Sequence, residues 1–255
     1  MLRNVLLMAT SGLVLFSKEF VNAIAQPRLI GSLLTAILEF SAKTTGAPVS
    51  YMEFAHVAVA VVTNEHAKVF CAIFLDVCDG PKFGSFIAKE ILAAFVNEYA
   101  GDLGNIGHNL RDFHGFHYKI SEVIRESAKP ILATLQQHRG IQKAILVTDD
   151  TVTYATVDVD HLGVLVNLQS LRTLSADMIV VSVAFVGDNA KSVTLQAGRN
   201  CSIHVSSIEN ATLVVTYKQN GAACVAAIDD AIFMLHRVYR LINNLHHHTA
   251  VIPVH

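Results

Sequence analysis

Apolar and polar positions along this chain follow one order that occurs twice. Near the start, Val5-Leu6-Leu7-Met8-Ala9-Thr10-Ser11-Gly12-Leu13-Val14-Leu15-Phe16 reads as apolar strand, tight turn, apolar strand. Far downstream, Ala144-Ile145-Leu146-Val147-Thr148-Asp149-Asp150-Thr151-Val152-Thr153-Tyr154-Ala155 reads the same way. A stretch with helical spacing follows each hairpin, then β-rich segments, then an amphipathic helix. The order ββα-βββ-α, written twice, describes two small sheets that each carry helices.

In the first copy the pattern predicts strands at about 4–10 and 13–18. Pro27 suits a helix start, because its missing donor is an orphan at that position anyway. Leu29, Ile30, Leu33, Leu34, Ile37 and Leu38 recur at helical spacing until Gly46 and Pro48 end the run. Strands at about 49–54, 57–63 and 67–76 follow, with Asn64-Glu65-His66 as a turn. Asp79 is a candidate N-cap for a helix whose inward face carries Phe83, Ile87, Ile91, Ala94, Phe95 and Tyr99. A further helix is expected over about 117–138, kinked or broken at Pro130.

Gly140 marks the expected boundary, giving domains at residues 1–139 and 140–245 and a flexible tail at 246–255. The second copy predicts strands at about 142–148 and 151–157, then a weakly patterned helix at 160–176. Strands at about 179–187, 191–197, 200–206 and 211–217 come next. The closing helix places Val225, Ile228, Ile232, Leu235, Val238, Tyr239 and Ile242 on one stripe. The fold class is α+β: two small antiparallel-sheet domains with flanking helices.

Two segments carry more apolar surface than one core absorbs. In helix 27–44, Leu29, Leu33 and Ile37 cannot share the sheet with Ile30, Leu34 and Leu38. A helix apolar on nearly all sides is buried on nearly all sides. Ile30, Leu34 and Leu38 are assigned to the sheet; the other side lies either under helix 117–138 or under another protein, and the second alternative makes Leu29, Leu33 and Ile37 the interaction residues. Strand 179–187 is a candidate edge, on which Ile179 and Val181 would template pairing. Composition agrees: 52% of residues are hydrophobic and only 16% charged, with mean hydropathy +0.44. A typical soluble domain carries about 25% charged residues. Either large buried sheets or faces covered by partners account for the difference, and on the second reading an oligomer or complex subunit is expected.

Net charge is -2 with no basic stripe, which argues against nucleic-acid binding. No apolar run reaches the roughly 18 residues of a membrane span. Thr10-Ser11-Gly12 and Lys18-Glu19 break the apolar N-terminal region, so it reads as a hairpin rather than a cleaved signal peptide. Asn200-Cys201-Ser202 and Asn210-Ala211-Thr212 match the glycosylation sequon, which matters only in a secreted protein. Cys71, Cys78, Cys201 and Cys224 form no metal-type pair and read as buried thiols of a reducing compartment.

Catalytic signatures are missing from the sequence: it has no phosphate loop, no G-x-G-x-x-G, no G-x-S-x-G and no H-E-x-x-H. Asp149-Asp150 sits at a hairpin tip, where turn chemistry favours Asp without any catalytic role. His108, His114 and His117 cluster, and the last two could share a helix face as zinc ligands. The alternative is a solvated His-rich loop ahead of helix 117–138, aided by Asp112. No metal and no cofactor is expected.

Residues 3–138 resemble a longin domain, a profilin-like sheet of five strands flanked by helices. Val5-Leu6-Leu7-Met8, Gly12-Leu13-Val14-Leu15-Phe16, the helix from Pro27 and the strands around Val57–Val62 and Val69–Asp76 carry that resemblance. Residues 140–245 resemble a roadblock domain. Here the carriers are Gly140-Ile141-Gln142-Lys143-Ala144-Ile145-Leu146-Val147 with Thr148-Asp149-Asp150, the hairpins around Gly187 and Gly198, and the closing helix. The resemblance implies a non-enzymatic scaffold or adaptor subunit that assembles with other longin or roadblock subunits. It also implies binding or regulation of a small GTPase in membrane trafficking or signalling, in the cytoplasm or peripherally on endomembranes. The alternative it implies is a structural light chain of a dynein or ciliary assembly.

Overall fold

A computed structural model of the chain describes residues 1–20, 26–103, 113–148, 151–155, 170, 173, 192–197, 200–218 and 222–249. The first five-stranded sheet contains β1 (Leu2–Ala9), β2 (Val14–Glu19), β3 (Tyr51–Glu53), β4 (Ala58–Asn64) and β5 (Val69–Leu75), in the order β2-β1-β5-β4-β3. The second contains β6 (Ile141–Thr148), β7 (Thr151–Ala155), β8 (Ser192–Ala197), β9 (Cys201–Ile208) and β10 (Ala211–Lys218), in the order β7-β6-β10-β9-β8. Every pairing is antiparallel. Position for position the two orders are the same, so the doubled sequence pattern is a doubled topology, and the fold is α+β.

The first sheet is buried on both faces. β1 and β5 pair over nearly their whole length, with Leu6 opposite Ala72 and Met8 opposite Phe70. Side chains alternate across a strand, so Leu6, Met8, Phe70, Ala72 and Phe74 line one face with Val59 and Val61 of β4. Helix α1 (Pro27–Thr45) covers that face and inserts Leu34 into it. Helix α2 (Gly80–Glu98) covers the other face, burying Phe83, Ile87, Ile91 and Phe95. At Gly84 the helix comes so close that an added Cβ would lie 2.8 Å from Ala60 Cβ and 3.1 Å from Leu75 Cδ2. Helix α3 (Phe116–Glu126) packs beside α2. Phe16, Phe95 and Phe116 join there edge-on, with ring centroids 5.2–5.3 Å apart.

Where the pattern suggests one helix over 117–138, the chain forms two: α3 and α4 (Ala128–Gln136). The break falls at Ser127 rather than at Pro130. Proline is tolerated in the first turn of a helix, where it leaves no intrahelical hydrogen bond unmade. Pro130 therefore sits inside the start of α4, and the interruption moves ahead of it. Ser127 is buried, and its hydroxyl donates to the Ile124 carbonyl at 2.6 Å. Helix α4 packs on β6. By compactness the chain divides into Met1–Ser127 with Leu241–His255, and Ala128–Arg240.

Asp79 occupies the N-cap position of α2 but does not cap it. Its backbone is helical, and its buried carboxylate pairs instead with the Met1 amine. Neighbouring Asp76 binds Arg3 Nε at 2.8 Å, tying β1 to the end of β5. Partial burial pushes the Asp76 carboxyl upward, but Arg3 and the Met1 amine outweigh it and hold it below its ordinary value.

In the second sheet Val147, Val205 and Val214 share one face, with Ile145 and Ile203 against them. On the other face Ala144, Leu146, Leu213 and Val215 are buried, with His204 among them opposite Val215. Helix α5 (Ala222–Thr249) follows the second sheet in the chain and runs past the expected end at 245. Its buried row is Cys224, Ile228, Ala231, Leu235 and Val238. Val225, expected inward, is exposed. The row begins one residue earlier, at Cys224, whose Sγ donates to the Arg139 carbonyl at 3.4 Å. That sulfur lies so near Gly140 that an added Cβ there would be 2.7 Å away. Helix 160–176, strand 179–187 and the Asp149-Asp150 turn lie outside the described residues, apart from Ser170 and Thr173.

Two expectations follow. Gly84→Ala should destabilise the protein by about 1–3 kcal/mol, the usual cost of overpacking a tight core, as read by urea unfolding. The second concerns His204. Burial holds its imidazole below the ordinary value, against a smaller upward pull from Asp229. Thr194 Oγ1 lies 3.0 Å from its Nδ1, while its buried Nε2 meets no hydrogen-bond partner among the described residues. The folded state therefore disfavours the proton that the unfolded chain accepts near pH 6.5. Its contribution is complete above that pH and is lost as pH falls below it. Melting temperature should fall more steeply between pH 7 and pH 5 in the wild type than in His204→Asn, and equal slopes would refute the assignment.

Candidate interaction surface

Helix α1 is built to show two different faces. Pro27 opens it, and Gly46 closes it with its N–H on the Ala42 carbonyl at 3.2 Å. Gly31 lets the helix lie close on the sheet, since a Cβ there would sit 2.7 Å from Met8 Cε and 3.1 Å from Val14 Cγ2. This contact fixes the helix rotation. Leu34 becomes 2% exposed, and Ile30 and Leu38 pack half-buried against the same core. One turn away, Leu29 is 66% exposed and Leu33 is 55% exposed. Ile37 is half-buried at the flank of this outer stripe.

Phe40, which was not singled out from the sequence, is 70% exposed. Positions 29, 33 and 40 lie on one helix face, with the exposed Ala36 between the last two. The signal was present in the spacing: continuing the stripe from Leu29 by four, three and four residues reaches Phe40. Few charges interrupt the stripe. Glu39 and Lys43 pair with each other at 3.3 Å, and both are well exposed. Such a surface pair contributes little to stability. Outside the helix, Phe54 and Tyr118 are the other large exposed apolar or aromatic side chains of the first unit among the described residues.

Ile179 and Val181, the other expected interaction residues, lie outside the described residues. His114 and His117 do come together, their rings stacked at 6.0 Å with planes 18° apart. Helix α3 begins at Phe116, so His114 precedes it. Burial lowers the affinity of His117 for a proton, and Lys18 and His114 add to the effect. Among the described residues no three His, Cys, Asp or Glu side chains lie close enough to hold a metal. His108 and Asp112 fall outside those residues.

All four cysteines are free. Cys71 and Cys224 are buried as expected, and burial pushes the Cys71 thiol up, so it stays protonated and inert. Cys78 departs from the expectation: it is exposed, in the short 3-10 turn Val77–Asp79 that ends the sheet. No described helix is long and apolar enough to cross a membrane.

No protein-family model matches the chain, and neither does any curated protein. Solved structures similar to it include MglB of Myxococcus xanthus, at 11% identity and a TM-score of 0.39, covering 44% of this chain and 94% of that one. A Roadblock/LC7 domain from Streptomyces avermitilis is similar at 18% identity and a TM-score of 0.36, covering 43% of this chain and 92% of that one. The gliding protein MglB of Thermus thermophilus is similar at 17% identity and a TM-score of 0.35, over 45% of this chain and 90% of that one. Each is thus matched almost whole by less than half of this chain.

The two faces of α1 should separate in unfolding experiments on the full chain. Leu34→Ala should cost about 2–5 kcal/mol, as for a core leucine. Leu33→Asp should change stability by no more than about 0.5 kcal/mol, as for a surface position. Equal destabilisation by both would place Leu33 in the core and remove the surface.

Proposed function

We propose that this chain is a non-enzymatic adaptor subunit that holds a small GTPase on the outer face of α1. The observation that carries this reading is the stripe of Leu29, Leu33 and Phe40, three large apolar side chains exposed together on a helix whose opposite side is fixed in the core. Exposed apolar patches on folded proteins mark interaction sites. Buried anchors at the centre of an interface carry most of its energy, and truncating one can cost about 2 kcal/mol or more. Ile37, at the flank of the stripe, belongs to the same surface in this reading, while Ile179 and Val181 stay a separate proposed contact, for a partner strand, outside the described residues.

The class of partner rests on the resemblance of residues 3–138 to longin domains and of residues 140–245 to roadblock domains. Proteins of that build assemble with one another and bind small GTPases. The same resemblance supports a role in trafficking or signalling at the cytoplasmic surface of membranes. The sequence supports a non-catalytic role, since none of its motifs marks a nucleophile, phosphate loop or metal-hydrolase site.

The test is capture by immobilised full-length chain from native extract, with bound proteins identified by mass spectrometry and the interaction repeated with purified partner. A small GTPase should be retained by the wild type and lost with Leu33→Asp and with Phe40→Ser, at unchanged melting temperature. Recovery of dynein or axonemal chains in place of a GTPase would replace this reading with the light-chain one. Retention of the GTPase by both variants would remove α1 as the binding face.

A further inference from the structure

A second feature of the first unit lies apart from the outer face of α1. An open cavity of about 710 Å³ sits where the β1–β2 turn, the β4–β5 turn and the end of α2 meet. Its apolar wall includes Ala9, Val96 and Leu103, and its polar side includes Thr10, Ser11 and Lys68. The volume falls within the roughly 300–1,000 Å³ of ordinary small-molecule sites, which likewise combine an apolar wall with a few placed polar groups. Among the described lining residues Lys68 is the one fixed cation, and none is a carboxylate.

The backbone of Lys68 is fixed, and its side chain is exposed at the cavity mouth. Lys68 has φ +52°, a left-handed conformation that glycine adopts freely and lysine does not. The turn around it is locked. The Lys68 N–H donates to the Glu65 carbonyl at 3.3 Å, and the Lys68 carbonyl accepts from the Thr10 N–H at 2.9 Å. Asn64 Oδ1 accepts from the Ala67 N–H at 3.0 Å. Both turns at the cavity mouth are thereby tied together. Strained residues held by their surroundings concentrate at functional sites, and the inference runs from the observed outlier to the function.

The second unit supplies a contrast. The matching turn between β9 and β10 also holds a left-handed non-glycine residue, Glu209 at φ +50°. Its carboxylate lies 3.9 Å from His236 Nδ1 on α5. There the carboxylate has an imidazole beside it on the helix, an ion pair only when that imidazole is protonated. Among the described residues the Lys68 ammonium meets no carboxylate, so the first unit presents a cation where the second presents a carboxylate near a histidine.

We propose that this cavity binds a small organic monoanion, a carboxylate on an apolar body. The carboxylate pairs with Lys68 and accepts from the hydroxyls of Thr10 and Ser11, while the body lies on Ala9, Val96 and Leu103. A charge-assisted hydrogen bond is the stronger kind, so the ammonium supplies most of the selectivity for an anion over its neutral analogue. The apolar wall supplies affinity without direction.

The probes are decanoate and decan-1-ol, which share a tail and differ in charge, titrated into the full-length chain by NMR. Decanoate should shift the backbone amide signals of Ala67 and Lys68, and decan-1-ol should bind about tenfold more weakly, the scale of one good charged contact. Lys68→Asn removes the cation and keeps a residue that tolerates the left-handed backbone. It should reduce decanoate binding to the level of the alcohol and leave the melting temperature unchanged. Should that variant melt early, Thr10→Val is read in its place, with weaker decanoate binding expected. Equal binding of acid and alcohol, shifts centred on Leu33 of α1, or no binding of decanoate would each overturn the proposal. The adaptor reading is tested separately, by GTPase capture with the Leu33 and Phe40 variants, so failure of decanoate to bind this cavity leaves it standing.

Discussion

The pairing of β1 with β5 is the constraint on which the first unit depends. These two strands form the middle of the sheet, and their register places Leu6 beside Ala72 and Leu7 beside Cys71 on opposite faces. Both faces are therefore apolar. A sheet that is apolar on both faces cannot present either to water, so helices must cover it on two sides. Helix α2 meets one face at Gly84, and α1 meets the other at Gly31. From those two close approaches follow the rotation of α1 and the outward aim of Leu29, Leu33 and Phe40. The proposed interaction surface is thus the part of α1 left exposed once its core contact is satisfied.

The second unit repeats the strand order but not the details at its edges. Both units use the turn between their fourth and fifth strands to hold a residue with positive φ, and they place opposite charges there. Lys68 opens onto a cavity, whereas Glu209 lies near His236. Polar groups also enter the second core. Ser202, His204 and Ser206 are all buried along β9, whereas β4 of the first unit presents Ala58, Val59, Ala60 and Val61. A repeated topology therefore carries two different chemistries, because strand order depends on apolar alternation and turns, while surface and edge residues vary without disturbing it.

Most of the element order was legible in the sequence. The two hairpins, the helix from Pro27, the strands around 58–64 and 69–75, and the closing helix stand out because hydrophobic period and turn residues are local properties. The split of α1 into Leu29 and Leu33 outside and Leu34 inside was legible for the same reason: one sheet face can take only one stripe. Phe40 was legible too, by extending the stripe, but it stands outside the core of the periodic run. Three departures stand out. Asp79 turned to the Met1 amine rather than to its own helix, Pro130 was absorbed into the first turn of α4, and the buried row of α5 shifted to Cys224. The first and third were decided by contacts with distant segments, Met1 and Arg139, whereas Pro130 follows the local tolerance of a helix's first turn for proline.

The sequence by itself determined that two small sheets form, where most of their strands begin and end, and that α1 has apolar residues on two sides. These follow from alternation, helical spacing and turn chemistry, which act over a few residues. The tertiary structure alone decided that both sheets share one strand order, since pairing β1 with β5 joins segments far apart in the chain, such as Leu6 with Ala72. It also decided which turn residues line the cavity with Lys68, and which side chain of α1 is core and which is free. Those outcomes depend on close approach between distant segments, and close approach is a property of packing that no local pattern contains.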